Sequence, residues 1–207
     1  ITVREDAPFS RIELLKHLDD KNIGTRLLFA GNLGFAQGLT AIIDAAELLQ
    51  KNEVPVNVVL LGDGVAKKGA IERVEQKGIS NVYFLPRVAM NEVGCLLAAA
   101  DILLVHLNDE ELFRITIPSR TQAYLAMGKP IVMGVKGDAA ELIDETRAGL
   151  ACPPNNPREL AGAINELVSK SEEERQQLGK NGRDFYYGHL SVKQGVKKFL
   201  SVFEEVV

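Results

Sequence analysis

Apolar positions along this chain follow two patterns. Six short runs are apolar at nearly every position: RLLFAG (26–31), VNVVLLG (56–62), VYFLP (82–86), DILLVHL (101–107), PIVMGV (130–135) and the weaker GLAC (149–152). Unbroken apolarity rich in β-branched residues marks strands buried on both faces, as in a parallel sheet. Strands with one wet face would alternate instead.

Between these runs the apolar residues recur at helical spacing. LTAIIDAAELLQK (39–51) and AKKGAIERVEQKG (66–78) are amphipathic, and Gly78 suits the position just past a helix end. NEVGCLLAAAD (91–101) opens on a capping Asn91, SRTQAYLAMG (119–128) closes on Gly128, and AAELIDETRAG (139–149) closes on Gly149. The tail is helical throughout. NNPRELAGAINELVSK (155–170) carries an Asn cap with Pro157 in its first turn. SEEERQQLGKNGRDFYYG (171–188) opens on a capping box, Ser171 with Glu174, and SVKQGVKKFLSVFEEVV (191–207) is amphipathic.

Strand and helix therefore alternate about five times before the helical tail. The pattern predicts right-handed crossovers and an α/β, doubly wound, mainly parallel sheet of about six strands. FSRIELLKHLDDKN (9–22) reads as a short helix ahead of the first strand, within a lead-in segment at 1–20. No repeat or internal linker divides the 207 residues, so one domain is expected.

Composition narrows the function classes. Net charge is −4, which argues against nucleic acid, because phosphate-backbone binding needs a net basic face. A local basic pocket stays open. Cys95 and Cys152 lack CxxC spacing, and with three histidines they make no metal cluster, so no metal is expected. They read as small buried hydrophobes in a reducing compartment. No apolar run approaches the ~18 residues of a membrane span. The chain opens ITVREDAPFS, without Met or a signal-peptide pattern, and reads as a fragment.

In a doubly wound sheet a ligand lies beyond the carboxyl ends of the strands. AGNLGFAQGL (30–39) carries Gly31, Gly34 and Gly38 between the first strand and its helix. Such a loop brings bare N–H groups to a phosphate at a helix start, or is an ordinary turn. LLGDG (60–64) is glycine-rich too, but belongs to the second strand and is set aside as a motif. ITIPSRTQAYLAMGKPI (115–131) places Pro118 in a helix's first turn, with Thr116 as candidate cap and Arg120 as a forked cation suited to phosphate oxygens. Plain capping would also explain it. GVKGDAAELI (134–143) puts Asp138 and Glu141 at another helix start, where the dipole alone favours acids. Four glycine-marked strand ends on one edge point together to an anionic, nucleotide-like ligand. His106 ends the fourth strand on that edge and reads first as a satisfied structural histidine. His17 and His189 sit in helical, exposed settings, and Glu110 and Glu111 in a solvated loop. An NAD-dependent oxidoreductase is disfavoured, since GxGxxG is absent after the first strand.

LLFAGNLGFAQGLTAIIDAAELL, VVLLGDG, NVYFLPRV, AAADILLVHL, IPSRTQAYLAMGKPIVMGVKGDAAELI and AGLACPPNNPRELAGAI resemble, in this order, the C-terminal nucleotide-sugar-binding domain of family 4 glycosyltransferases, of GT-B fold. FRITIPSRTQAYLAMGKPI is most similar to bacterial N-acetyl-L-fucosamine transferases of O-antigen and capsule synthesis. The resemblance implies a UDP-sugar donor bound here without a further cofactor, an N-terminal acceptor half across the cleft, and a cytoplasmic protein, in full length at the inner face of the membrane. It implies diphosphate contacts at Gly34, Gln37, Gly38, Ser119 and Arg120, and nucleoside contacts at Arg87, Val88, Thr121, Gln122 and Ala123. Gly137, Asp138, Ala139, Ala140 and Glu141 would meet the donor sugar. Many relatives carry a glutamate pair at positions matching Ile115 and Ala123. That departure leaves open a non-catalytic nucleotide-binding or interaction module of the same fold.

Overall fold

The structure is a computed structural model and describes residues 24–206. The helix expected at 9–22, the lead-in at 1–20 and His17 lie outside the described residues. Six strands form one parallel sheet: β1 (Thr25–Ala30), β2 (Val56–Leu61), β3 (Val82–Leu85), β4 (Ile102–His106), β5 (Ile131–Gly134) and β6 (Gly149–Cys152). Their order is β3-β2-β1-β4-β5-β6. The chain winds outward one way from β1, then returns to start β4 on its other side. The sheet is doubly wound, and its switch point lies between β1 and β4.

The unbroken apolar runs become a core on each face. Leu27 and Phe29 pack with Val58, Leu60, Ile102 and Leu104 under α1 (Leu39–Lys51), α2 (Lys67–Lys77) and α7 (Pro157–Ser169). Leu28 and Ala30 pack with Val59, Leu61, Leu103 and Val105 under α3 (Met90–Ala99), α5 (Ser119–Met127) and α6 (Asp138–Thr146). Each fully buried Leu, Ile or Phe contributes ~1.5–3 kcal/mol of transfer free energy. Between α3 and α5 lies a short helix, α4 (Glu111–Arg114), where a solvated loop was expected. The tail continues as α8 (Glu172–Phe185), a π-helical turn (Tyr186–Leu190) and α9 (Val192–Val206).

At the amino edge of the sheet Arg26 donates to Asp101 through Nε and Nη2 at 2.8 and 2.9 Å. Burial would raise the Asp101 carboxyl, but the Arg26 hydrogen bonds outweigh it and hold the group below the usual carboxylate range. Among the described residues no helix is long and apolar enough to cross a membrane, and no group of three or more His, Cys, Asp and Glu could hold a metal.

Several helix ends differ from expectation. α3 begins at Met90 with Ala89 as its cap residue, so Asn91 lies inside the helix. Glu92 reaches back to accept the N–H of the cap residue Ala89 at 3.2 Å, and no side chain caps the first turn. Thr116 does not cap α5. Its hydroxyl donates to the Leu112 carbonyl at 2.6 Å, and Pro118 occupies the cap position. α6 ends at Thr146 on a left-handed Arg147, which frees Gly149 to begin β6. The Asn156 and Ser171 caps form as read, with Ser171 and Glu174 exchanging hydrogen bonds.

Candidate functional site

A cleft of about 820 Å³ opens at the carboxyl ends of β1 and β2. Its floor is backbone: Ala30 and Gly31 from β1, and Leu61, Gly62 and Asp63 from β2. One wall is the loop after β3, from Arg87 to Met90, with Val93 and Leu97 of α3 behind it. The opposite wall is the start of α5: Ser119, Arg120, Ala123 and Tyr124. One side of the cleft is apolar. The other is the open end of a helix, where the first N–H groups lack intrahelical partners. Of these, Thr121 N–H is taken by the Pro118 carbonyl at 2.8 Å.

The floor has to be thin. Gly62 has φ +143°, and a Cβ there would meet the Gly31 carbonyl oxygen at 1.9 Å. Gly31 has φ +144°, and a Cβ on it would lie 3.1 Å from the guanidinium carbon of Arg120. The absent side chain at Gly31 leaves room for the Arg120 guanidinium at the end of β1. There it sits 4.4 Å from the centre of the Phe29 ring. Nη1 of Arg120 is buried and has no hydrogen-bond partner, and no carboxylate pairs with this arginine among the described residues. Burial pushes its proton affinity down, opposed by the neighbouring Tyr124. A half-buried guanidinium with an unpartnered N–H and no acid beside it among the described residues is chemically suited to meet an anion.

Tyr124 fixes this wall. Its hydroxyl accepts the Ala30 N–H at 2.9 Å and lies 3.3 Å from the Ala30 carbonyl, to which it donates. The bond ties α5 to the end of β1 in the apolar core, where burial raises the phenol above its usual range.

Five of the residues to which the resemblance assigned contacts line this cleft: Arg87, Val88, Ser119, Arg120 and Ala123, and Gly31 of the first glycine-marked loop joins them. The others do not. Gln37 is 8% exposed, and its Oε1 accepts the Gly34 N–H at 3.0 Å. Gln37 Oε1 and the Gly34 N–H are thus paired with each other, and neither residue lines the cleft. Gly38 backs onto His106 and Asn108. Thr121 is fully buried with an unpartnered hydroxyl, and Gln122 is exposed outside the cleft. Gly137 backs onto the Arg114 carbonyl, and Asp138, Ala139, Ala140 and Glu141 form the first turn of α6 away from the cleft lining.

His106 is 1% exposed and is fully engaged. Nδ1 lies 2.9 Å from the Gln37 carbonyl and Nε2 lies 3.4 Å from the Asn155 N–H. These partners assign the neutral tautomer with the proton on Nδ1. Burial depresses its proton affinity, only partly opposed by the Gln37 bond. The residue knots three loops together and is structural. Cys152 is buried, and burial, then Glu159, push its thiol up to about 12.

Asn32, Gly62, Asp63 and Met90 also line the cleft. The signal for Gly62 and Asp63 was LLGDG, set aside because it follows β2 rather than β1. β2 lies next to β1, so its end borders the same cleft.

Residues 13–185 match the family described as glycosyl transferases group 1. The chain belongs to this family. It is 35% identical over 167 residues to a probable glycosyltransferase of Pseudomonas aeruginosa, WbjE, covering 79% of this chain and 39% of that protein. It is 28% identical to an uncharacterized glycosyltransferase of Methanocaldococcus jannaschii, covering 94% of this chain and 51% of the relative. The chain thus spans between two fifths and about half of these relatives. Among solved structures, Anabaena HepE in complex with UDP and glucose superposes with a TM-score of 0.75 at 22% identity, over 94% of this chain and 53% of that one. The C-terminal domain of a Francisella tularensis group 1 glycosyl transferase, LpcC, superposes at 0.68 with 20% identity, over 89% of this chain and 95% of that one. At these identities the likeness concerns the fold.

Proposed function

We propose that this chain is the donor-binding half of a glycosyltransferase that moves a sugar from a UDP-sugar to a polysaccharide or lipid-linked acceptor. The full-length protein would contribute an N-terminal acceptor half across the cleft. The observation that carries the reading is the Arg120 guanidinium, half-buried in the cleft wall with a free donor and no acid beside it among the described residues. A nucleoside diphosphate fits this division of surface. The base and ribose would rest between Val88 and Ala123, with Arg87 at the edge. The diphosphate would lie over the glycine floor against Arg120, Ser119 and the start of α5. As the glycosidic bond breaks, negative charge grows on the departing diphosphate, and donors already fixed there stabilise it without reorganising. The UDP bound to HepE supports a UDP-sugar donor, and the likeness to an O-antigen chain mannosyltransferase of Escherichia coli supports envelope polysaccharide synthesis. The resemblance of residues 113–131 to fucosamine transferases supports an N-acetylated deoxyhexosamine as the sugar.

Titration of the full-length protein with UDP, before and after Arg120→Ala, tests the reading. Loss of a charge-assisted contact should weaken UDP by about tenfold or more, ~1.4 kcal/mol. A change under about threefold, ~0.7 kcal/mol, would remove Arg120 from the phosphate site. Ala123 gives the second reading its one observation: it faces the cleft with a methyl where relatives carry a ribose-binding glutamate. A non-catalytic nucleotide module would bind UDP and release no sugar from any UDP-hexosamine. Turnover by the full-length protein would exclude it.

A further inference from the structure

We infer that Phe29 is a positioning residue for the anion site, holding the Arg120 guanidinium by its ring face so that the charge stays available. This rests on reading the cleft as a nucleoside-diphosphate site. Phe29 belongs to the core cluster beneath α1, α2 and α7, whereas Arg120 sits on α5, on the opposite face of the sheet. An arginine anchored there has no reason of packing to reach the Phe29 ring. Yet its guanidinium carbon lies 4.4 Å from the ring centre, in the space that Gly31 leaves open.

The alternative anchor for a half-buried arginine is a carboxylate, and among the described residues Arg120 has none. The difference matters for binding. A carboxylate would cancel the charge and occupy two N–H donors, so an incoming phosphate would have to displace it. A ring attracts the cation through its quadrupole and meets the guanidinium on its face, leaving the in-plane N–H groups unspent. Nη1, buried and without a partner, is one such donor. The ring thus restricts the long side chain before the ligand arrives, which lowers the ordering cost at binding.

The ring is also a core residue, so the test has to separate holding from filling. The full-length protein would be prepared with 3,5-difluorophenylalanine at position 29, which keeps ring size and weakens the quadrupole, and separately as Phe29→Leu. UDP and uridine affinities would be measured by calorimetry for both and for the wild type. A held guanidinium predicts that UDP weakens about threefold on fluorination and about tenfold in Phe29→Leu, with uridine within about twofold throughout. UDP binding unchanged on fluorination, or UDP and uridine falling in parallel, would overturn the inference and leave Phe29 as packing. Failure of the wild type itself to bind UDP would instead overturn the underlying reading of the cleft, and the inference with it.

Discussion

Arg120, half-buried with Nη1 out of water, and His106, fully buried, are both basic and both at the carboxyl edge of the same sheet, and the structure treats them in opposite ways. His106 has each ring nitrogen matched, to the Gln37 carbonyl and the Asn155 N–H, and its charge is suppressed by burial. Arg120 is held against a ring, with Nη1 matched to nothing. Burying a polar group is costly unless its hydrogen bonds are replaced. The matched group has recovered that cost within the fold. The unmatched one recovers it only when something else enters the cleft. Satisfaction, rather than position, separates the structural histidine from the arginine proposed to bind.

The contrast breaks most readily at His106. His106→Leu keeps the volume and leaves the Gln37 carbonyl and the Asn155 N–H without their partner. The buried Gln37 carbonyl, once orphaned, costs ~1–3 kcal/mol and the exposed Asn155 N–H less, so the variant should lose about 2 kcal/mol of stability by denaturant titration. A loss under about 0.5 kcal/mol, the ordinary scale of a surface substitution, would show that the knot does not matter and would return His106 to the list of ligand candidates.

Arg120→Met is the mirror experiment. It removes a half-buried unpaired charge and keeps the aliphatic stem, so stability should hold or rise. UDP affinity should fall about tenfold or more, ~1.4 kcal/mol, in the same protein. Thermal melting and UDP titration on one sample check both signs. A variant that melts well below wild type would mean that Arg120 serves the fold and that its isolation is incidental.

How much of this could be read in the chain follows the same line. The six strands were legible because burial on both faces leaves a one-dimensional trace, an unbroken apolar run such as VNVVLLG. The neighbours of a strand leave no such trace, and so LLGDG was dismissed while the fold carried Asp63 to the cleft. Arg120 was legible as a forked cation at a helix start. That Gln37 would turn inward onto the Gly34 N–H was not, because an amide can serve a ligand or its own loop, and spacing does not distinguish them. Asn91 and Thr116 failed as caps for a local reason: a shift of one or two residues moves a capping side chain off the free N–H groups, so that Glu92 accepts the Ala89 N–H and the Thr116 hydroxyl donates to the Leu112 carbonyl instead.

The finest test of the comparison is pH. His106 titrates lower in the folded protein than in the unfolded chain, because burial penalises the imidazolium and the Gln37 bond opposes it only in part. At neutral pH both states hold it uncharged, and its contribution is complete. As pH falls below the ordinary histidine value of ~6.5, the unfolded chain takes up a proton that the folded one refuses, so stability is lost down to the depressed folded value. One proton limits the slope to ~1.4 kcal/mol per pH unit. Asp101 and Asp109, held low by Arg26 and by Lys136 with Arg114, lose their contribution only as pH falls further, through the carboxylate range. The difference in stability between wild type and His106→Leu, followed from pH 7 to pH 5, isolates the histidine and should shrink as the wild type loses its advantage. Arg120→Met measured over the same range should run parallel to wild type, since a guanidinium does not titrate there. A histidine that kept its full contribution at pH 5 would have to be accepting its proton in place, and the matched half of the comparison would lose its basis.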